Sequence, residues 1–302
     1  GWIKDVRPCC WHDGKRNPYD ALADAIEERK LSGSRIALEF RHFPVLLMEG
    51  LRKRLPKAEF VDAEPVLWKM RSVKSPREVE RQRQAYRIAE DIYTEVLAMI
   101  RRSDGNLTVA EVRAAEMAMA TRAGCPPLHF GYVFPQDGLQ KKPWDKVKAS
   151  SFKFERGDTI LLDLGLVWQG YTTDFGRNAV WGKARADLRE LYSRVKKCRE
   201  EITALIRPGV RCCDVYQKAM AIRRELKLPT CPGVGHSLGI ECHENPSLLP
   251  TDQTTIEENM TLVVELVDGI GNIAFLLEDA GLVTADGWES LVSMSTDLIE
   301  ME

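Results

Sequence analysis

The sequence lacks the features that would direct its 302 residues to a membrane, a nucleic acid or an oxidising compartment. No stretch of about 18 apolar residues occurs, so a conventional spanning helix is not expected. No charged start leads into an apolar core and a small-residue cleavage site, so no secretion signal is legible. The chain begins at Gly1 without a Met, and a true N-terminus can lie upstream. Lys and Arg number 43 against 45 Asp and Glu, a net charge of -2. That balance leaves no basic surplus for a polyanion, so neither nucleic acid nor membrane is an expected partner. Eight cysteines are present, none in a CxxC pair. The doublets Cys9-Cys10 and Cys212-Cys213 cannot easily bridge internally, and the thiols read as reduced residues of a cytoplasmic protein. The sequon Asn106-Leu107-Thr108 then reads as a loop before a helix cap. No low-complexity tract or tandem repeat appears. What remains, 44% hydrophobic and 29% charged residues, is enough for a sizeable core.

Residues 1–70 read as a small α/β domain, with helical spacing over Asp20 to Lys30, a short strand over Arg35 to Glu39 and a helix over Val45 to Leu55. A boundary at Arg71 to Ser75 opens a second domain, 71–302. There Ser75-Pro76-Arg77-Glu78 combines a capping Ser, a Pro at the first helical position and a Glu at the third. The helix it starts runs to about Arg101, with Val79, Ile88, Ile92, Val96 and Met99 inward. Thr108-Val109-Ala110-Glu111 repeats the capping box for a helix to about Ala123. Between Cys125 and Arg156 no period is sustained, and Pro126, Pro127, Pro135, Gly138 and Pro143 read as breakers of any regular element in a long functional loop. Strands follow over Thr159 to Leu166 and Tyr171 to Trp181. Helices follow over Arg185 to Arg207 and about Asp214 to Leu226. Strands and tight turns fill Gly233 to about Thr284.

Two hairpins carry the chemistry. With a tip near Trp168-Gln169, Asp163 and Asp174 are equidistant from the turn and become direct cross-strand neighbours, about 4.5–5.5 Å apart at Cβ. Around Gly269, Gly271 and Asn272, Glu265 and Glu278 are equidistant in the same way. Both glutamates are set in apolar strands, and buried like charges demand protons or a cation. His236, in Gly233-Val234-Gly235-His236-Ser237-Leu238-Gly239, has flanking glycines that let the backbone crowd a site. Four carboxylates and one imidazole suit two divalent ions, Mn, Co, Fe or Zn, better than one tetrahedral zinc.

On these residues the chain resembles the prolidase, aminopeptidase P, creatinase and methionine aminopeptidase superfamily. The resemblance runs from about 70 to 295. It rests on Lys69 to Glu78, Asp163-Leu164-Gly165, Gly170 to Arg177, Gly235-His236-Ser237-Leu238-Gly239-Ile240-Glu241-Cys242-His243-Glu244 and Leu277-Glu278-Asp279. It implies an α+β "pita-bread" catalytic domain, helices outside a curved and mainly antiparallel sheet, behind a truncated N-terminal α/β lobe. It further implies that Asp163 chelates one ion, that Asp174 and Glu278 bridge two, and that His236 and Glu265 complete the second. Glu265 would orient or deprotonate the attacking water, and His243 would steady the oxyanion. A homodimer is implied as well.

The substrate shell departs from the family pattern. Leu266-Val267 stand where Pro-Gly is usual after the Glu, Leu276 where an Arg is common, and Pro232 where a His is common. The usual substrate-side His is not evident; Lys146 or Lys148 lies near its position, and His129 is a further candidate for lining the site. His12 and His42 read as surface or packing residues, and Trp144 as a pocket wall or loop anchor. The expected activity is hydrolysis of an amide C–N bond in a small peptide or small amide, Xaa-Pro peptides first. Creatinase-like or ectoine-type hydrolysis, or metal-assisted lyase chemistry on a small zwitterion, are the enzymatic alternatives. A catalytically silent binding protein is the alternative of another class.

Overall fold

The computed structural model describes residues 4–9, 17–126, 130–136, 151–271 and 273–302. They divide after Met70 into two compact units. The first holds α1 (Pro18–Glu28), β1 (Arg35–Leu38), α2 (Val45–Arg54) and β2 (Glu59–Asp62), with β2 parallel to β1. Ala23, Ile26, Leu51 and Leu55 form its small core. Strand β2 and the following α3 (Glu64–Ser72) were not expected from periodicity.

The second unit opens with α4 (Pro76–Arg102). Its capping box is complete: Glu78 N donates to Ser75 Oγ at 3.4 Å and Ser75 N to Glu78 Oε2 at 2.8 Å. The same device starts α5 (Val109–Arg122), where Thr108 N donates to Glu111 Oε2 at 2.8 Å. Each box satisfies amide groups that a helix start would otherwise leave without partners. Along α4, Val79, Ile92 and Val96 are buried as expected, whereas Ile88 and Met99 are only half-buried. Tyr86 and Tyr93, which the apolar spacing did not single out, are fully buried.

Strands β3 (Phe130–Gln136), β4 (Thr159–Gly165), β7 (Gly176–Trp181), β8 (Gly235–Ser237), β9 (Glu244–Ser247), β10 (Thr261–Ile270) and β11 (Ile273–Thr284) form one sheet in the order β3-β4-β7-β11-β10-β8-β9. Strand β12 (Gly287–Ser290) pairs with β11, and β13 (Ile299–Met301) runs parallel to β7. All other pairs in this sheet are antiparallel. Strand β3 corrects the expectation of an irregular Cys125 to Arg156 segment. Pro135 does not break it because β3 is the last strand of the order, where a residue without an N–H is tolerated.

Helices α6 (Ala186–Thr203) and α7 (Cys212–Glu225) cover half of the sheet, and α4 and α5 the other half. Leu262, Val264, Leu266, Phe275 and Leu277 pack toward α6 and α7. Ile160, Leu162 and Leu164 pack toward α4 and α5. Because a strand alternates its faces, Asp163, Glu265 and Glu278, each out of phase by one residue, turn to the opposite face. Among the described residues no helix is long and apolar enough to cross a membrane.

One seam of the sheet is held by side chains. Between β7 and β11 the only registered pair is Gly176 with Glu278. Beside it, Asn178 Oδ1 accepts from Leu276 N at 2.8 Å, and Gln136 exchanges two hydrogen bonds with the Ala274 backbone. Arg177, fully buried, donates to the carbonyls of Gly176, Glu278, Met294 and Ser295, and to Asp279 Oδ1 at 2.6 Å. On the other side of that carboxylate, Arg199 Nε lies 2.6 Å from Asp279 Oδ2. Removing one member of such a buried ionic group leaves an uncompensated charge and costs about 3–5 kcal/mol. Arg177→Met is therefore expected to lose stability of that order in denaturant unfolding. A loss under about 1 kcal/mol would show that the seam does not depend on Arg177.

Glu116 on α5 is fully buried, and neither of its carboxyl oxygens has a hydrogen-bond partner. Burial pushes its carboxyl up to about 8 from the ordinary 4.5. The folded chain then binds a proton that the unfolded chain releases above about pH 4.5, so stability falls as pH rises from there to about 8. At about 1.4 kcal/mol per pKa unit, the cost at pH 7 is roughly 3 kcal/mol. Glu116→Met should raise the melting temperature more at pH 8 than at pH 5. An equal gain at both would contradict a protonated Glu116.

Candidate metal centre

Strand register lays out the site. Tyr132 on β3 faces Asp163 on β4, Asp163 faces Gly176 on β7, Gly176 faces Glu278 on β11, and Glu278 faces Glu265 on β10. These five residues form one line across five strands, on the face away from the helices. The Glu265–Glu278 pairing follows from the turn between Ile270 and Ile273.

Asp163 and Asp174 are not the direct cross-strand neighbours that a tip at Trp168-Gln169 requires. The tip lies at Gln169-Gly170, both with positive φ (47° and 87°), so that β5 (Val167–Trp168) pairs Trp168 with Tyr171 on β6 (Tyr171–Thr172). A turn with two left-handed residues matches the twist of a hairpin, and Gly at its second position makes it accessible. The register is thereby displaced by two residues, which puts Gly176 opposite Asp163 and Asp174 on the irregular stretch before β7.

That stretch is held from outside the sheet. Tyr86 Oη on α4 accepts from Asp174 N at 3.1 Å and donates to Asp174 O at 3.3 Å, and Tyr93 Oη donates to Phe175 O at 3.0 Å. Thr173 Oγ1 accepts from Leu166 N at 3.1 Å in place of a ladder carbonyl. Asp174 is so delivered to the same face as Asp163. His236 arrives on β8, where it pairs with Val263. A Cβ on the preceding Gly235 would lie 1.9 Å from Val263 O, so only glycine permits this approach.

Donor atoms of Asp163, Asp174 and Glu278 lie within 4.8 Å of one another, as do those of His236, Glu265 and Glu278. The two groups share Glu278 and together contain all five residues. A third group of the same size joins Asp174, His236 and His243. His236 Nδ1 lies 3.0 Å from Ser237 O, an arrangement that places the proton on Nδ1 and turns the lone pair of Nε2 toward Asp174 Oδ2 at 3.5 Å and Glu278 Oε1 at 4.0 Å. His243 is exposed, with its ring 4.2 Å from that of His236.

In the protein alone these groups resist charge. Burial, then Glu265, pushes the Asp163 carboxyl up to about 7. Burial raises Asp174 and Glu278 well above the carboxylate range, reinforced by the neighbouring acids, and raises Glu265 as well. Burial, with His243 beside it, lowers His236 to about 4. Asp163 Oδ1 and His236 Nε2 are buried without hydrogen-bond partners. Acids driven toward neutrality around a neutral imidazole with a free lone pair fit divalent cations, whose charge reverses the upward shifts of the acids and keeps the imidazole neutral. The described residues are thus able to chelate two metal ions.

The loop bearing His243 is anchored by groups that sequence reasoning gave no role. Glu244 accepts from Ile240 N and Glu241 N, pairs with Arg71 and lies 3.5 Å from the buried Lys74 Nζ. Burial lowers that ammonium to about 8. Cys242 is buried, with Sγ 2.8 Å from Asp174 Oδ2. Of the substrate-side expectations, Leu276 is buried on the metal face, where a Cβ on Gly176 would collide with it, and Val267 opposite it is exposed. Pro232 and His42 are exposed. His129, Lys146, Lys148, Trp144 and His12 lie outside the described residues.

Residues 80–295 match the sequence profile of metallopeptidase family M24, and residues 3–73 that of the creatinase/prolidase N-terminal domain. A putative dipeptidase, YkvY, of Bacillus subtilis is 25% identical, covering 99% of this chain and 81% of its own. An Xaa-Pro dipeptidase of Pyrococcus horikoshii is 26% identical, covering 94% and 79%. Among solved structures, a dipeptidase of Pyrococcus horikoshii superimposes with a TM-score of 0.82 at 25% identity, over 96% of this chain and 80% of the other. An X-Pro aminopeptidase of Thermotoga maritima gives 0.82 at 23% identity, over 93% and 78%, and supports the fold. The chain belongs to metallopeptidase family M24, with the pita-bread fold of the prolidase, aminopeptidase P and creatinase group.

Proposed function

We propose that the chain is a two-metal peptidase acting on Xaa-Pro amide bonds, with Asp163, Asp174, His236, Glu265 and Glu278 as its metal ligands. The observation that carries this reading is the pair of donor groups sharing Glu278, five side chains whose donor atoms could hold metal ions. The Xaa-Pro preference is supported by the names of the relatives. Two divalent ions, Mn, Co, Fe or Zn, supply electrophilic polarisation of a carbonyl and acidify water at such a site. Glu265, half-buried and paired with Glu278, would orient or deprotonate the attacking water. His243, exposed next to His236, donates to the oxygen that gains charge as the carbonyl becomes tetrahedral. A cytoplasmic location and a homodimer complete the proposal. The seven free cysteines among the described residues support the first, and the family resemblance the second.

Metal analysis is expected to give about two divalent ions per chain, with activity lost to chelators and restored by added metal. Asp174→Asn or Glu278→Gln should abolish turnover while the fold persists, because an amide cannot bridge cations as a carboxylate does. Metal-free protein with full activity, or a variant with near wild-type turnover, would sink the ligand assignment.

Specificity follows from the wall beside the cage. Leu276 and Val267 offer apolar contact where a guanidinium could hold a substrate carboxylate through paired hydrogen bonds. Pro232 has no N–H or imidazole to donate. Gly-Pro and Ala-Pro should therefore be poorer substrates with Mn²⁺ than a longer Xaa-Pro peptide, whose carboxylate lies beyond this wall. If the dipeptides reach kcat/KM of about 10⁴ M⁻¹s⁻¹ or more, the reading of Leu276 and Pro232 is wrong.

A further inference from the structure

We infer that Glu244 is the positioning residue of His243: its carboxylate, held by Arg71 and Lys74, folds the turn between β8 and β9 so that the His243 imidazole stands beside His236. The inference rests on the reading of His243 as the donor to the developing oxyanion. Residues 238–243 join the two strands, and the register that closes this turn pairs Ser237 with Glu244. The Glu244 side chain is 1% exposed, whereas His243 before it is exposed. Successive side chains leave an extended chain on opposite sides, so a carboxylate fixed on the inner side sets the direction of the imidazole on the outer one. The His243 ring lies 4.2 Å from that of His236.

Four donors converge on this one carboxylate. The amides of Ile240 and Glu241 donate to Oε1 at 2.9 and 3.1 Å, Arg71 Nη2 donates to the same oxygen, and Lys74 Nζ lies 3.5 Å from Oε2. Arg71 Nη1 also holds Glu241 Oε1 at 2.9 Å, so one guanidinium spans the turn. Lys74, equally buried, donates to Ser237 Oγ at 3.2 Å, which ties the cluster to the strand of His236. Charge-assisted bonds of this kind are roughly twice as strong as neutral ones. The turn has room for the carboxylate because residue 239 is glycine: a Cβ there would lie 2.8 Å from Glu244 Oε2 and 3.0 Å from Oε1. Gly239 O accepts from Thr172 N at 2.8 Å and from Thr172 Oγ1 at 3.1 Å, which docks the turn on the hairpin before Asp174. Glu244 belongs to none of the metal-capable groups among the described residues, so its effect on turnover passes through the turn.

Glu244→Gln keeps the size of the side chain but offers one acceptor oxygen where the carboxylate serves four donors through two. With Mn²⁺ and a longer Xaa-Pro peptide, kcat should fall about 10-fold or more with KM little changed, since a small misplacement of a reacting group costs up to about 10²-fold. In a His243→Ala background the same change should cost less than about 2-fold, because a residue that acts through another is not additive with it. Gly239→Ala, which displaces the carboxylate and keeps its charge, should behave in the same way. The chain has five histidines, so the His243 imidazole resonance is identified in the metal-free full chain by its absence from His243→Ala. It should move toward the position of a free histidine in both Glu244→Gln and Gly239→Ala. Arg71→Ala, at a half-buried side chain with Lys74 still in place, should move it part of the way and decides the matter should the other variants fail to fold. A resonance that stays in place, or that moves only in Glu244→Gln, overturns the inference whether or not the chain turns over peptide. Equal losses in the wild-type and His243→Ala backgrounds overturn it too and leave His243 its role. Wild-type turnover in His243→Ala overturns the reading of His243 and this inference with it, while the metal cage stands.

Discussion

Everything distinctive in this fold follows from one unfavourable fact: four carboxyl groups share a volume from which water is largely removed. A sheet alone would not hold them there, because each acid gains by turning to solvent or pulling a strand out of register. The surrounding structure opposes that tendency at every point. Strand register fixes Asp163, Glu265 and Glu278 in line, Arg177 and Asn178 close the seam where the ladder between β7 and β11 is thin, and the hydroxyls of Tyr86 and Tyr93 hold the backbone of Asp174 and Phe175 respectively. The mutual repulsion that burdens the bare protein is what the attraction of a divalent cation to each carboxylate would offset.

The positively charged groups nearby are placed so that they do not neutralise the cage. Arg177 and Arg199 engage Asp279, the neighbour of Glu278 that points the other way along the strand. Lys74 and Arg71 engage Glu244, one residue past His243. Arg177 and Arg199 thus share Asp279, and Lys74 and Arg71 share Glu244, acids outside the five-residue group. This partition is a property of alternation: on β11 the residue after a metal-facing Glu faces the helices, where a buried salt bridge can form without touching the site.

Much of this was legible in the sequence, for reasons that differ by element. The capping boxes at Ser75 and Thr108 depend on residues three apart and were readable directly. Glu265 and Glu278 were readable because their turn is short and centred on a glycine. The Asp163–Asp174 hairpin was read two residues out of register, since the turn belongs to Gln169-Gly170; the glycine in second place was the available signal. Strand β3 was hidden by Pro135, whose tolerance depends on an edge position that only the assembled sheet reveals. Tyr86 and Tyr93 look like ordinary core aromatics in an apolar stripe, and their hydroxyls acquire meaning only from the chain segment opposite. The same holds for Cys242, unremarkable in sequence until the loop brings it onto Asp174.

The hydroxyl clamp on Asp174 has a consequence for cooperativity. Tyr86 is part of α4, a helix of 27 residues, and it bonds both the amide and the carbonyl of Asp174. The position of that aspartate is therefore set by the docking of the whole helix rather than by its own strand. An ion that requires Asp174 in place also selects molecules in which α4 is seated, so its binding free energy is shared with a helix face lying behind the sheet. Amide protons at the centre of α4 accordingly lie within the same cooperative unit as the metal-facing surface, and their exchange with solvent reads out occupancy of a site they never touch.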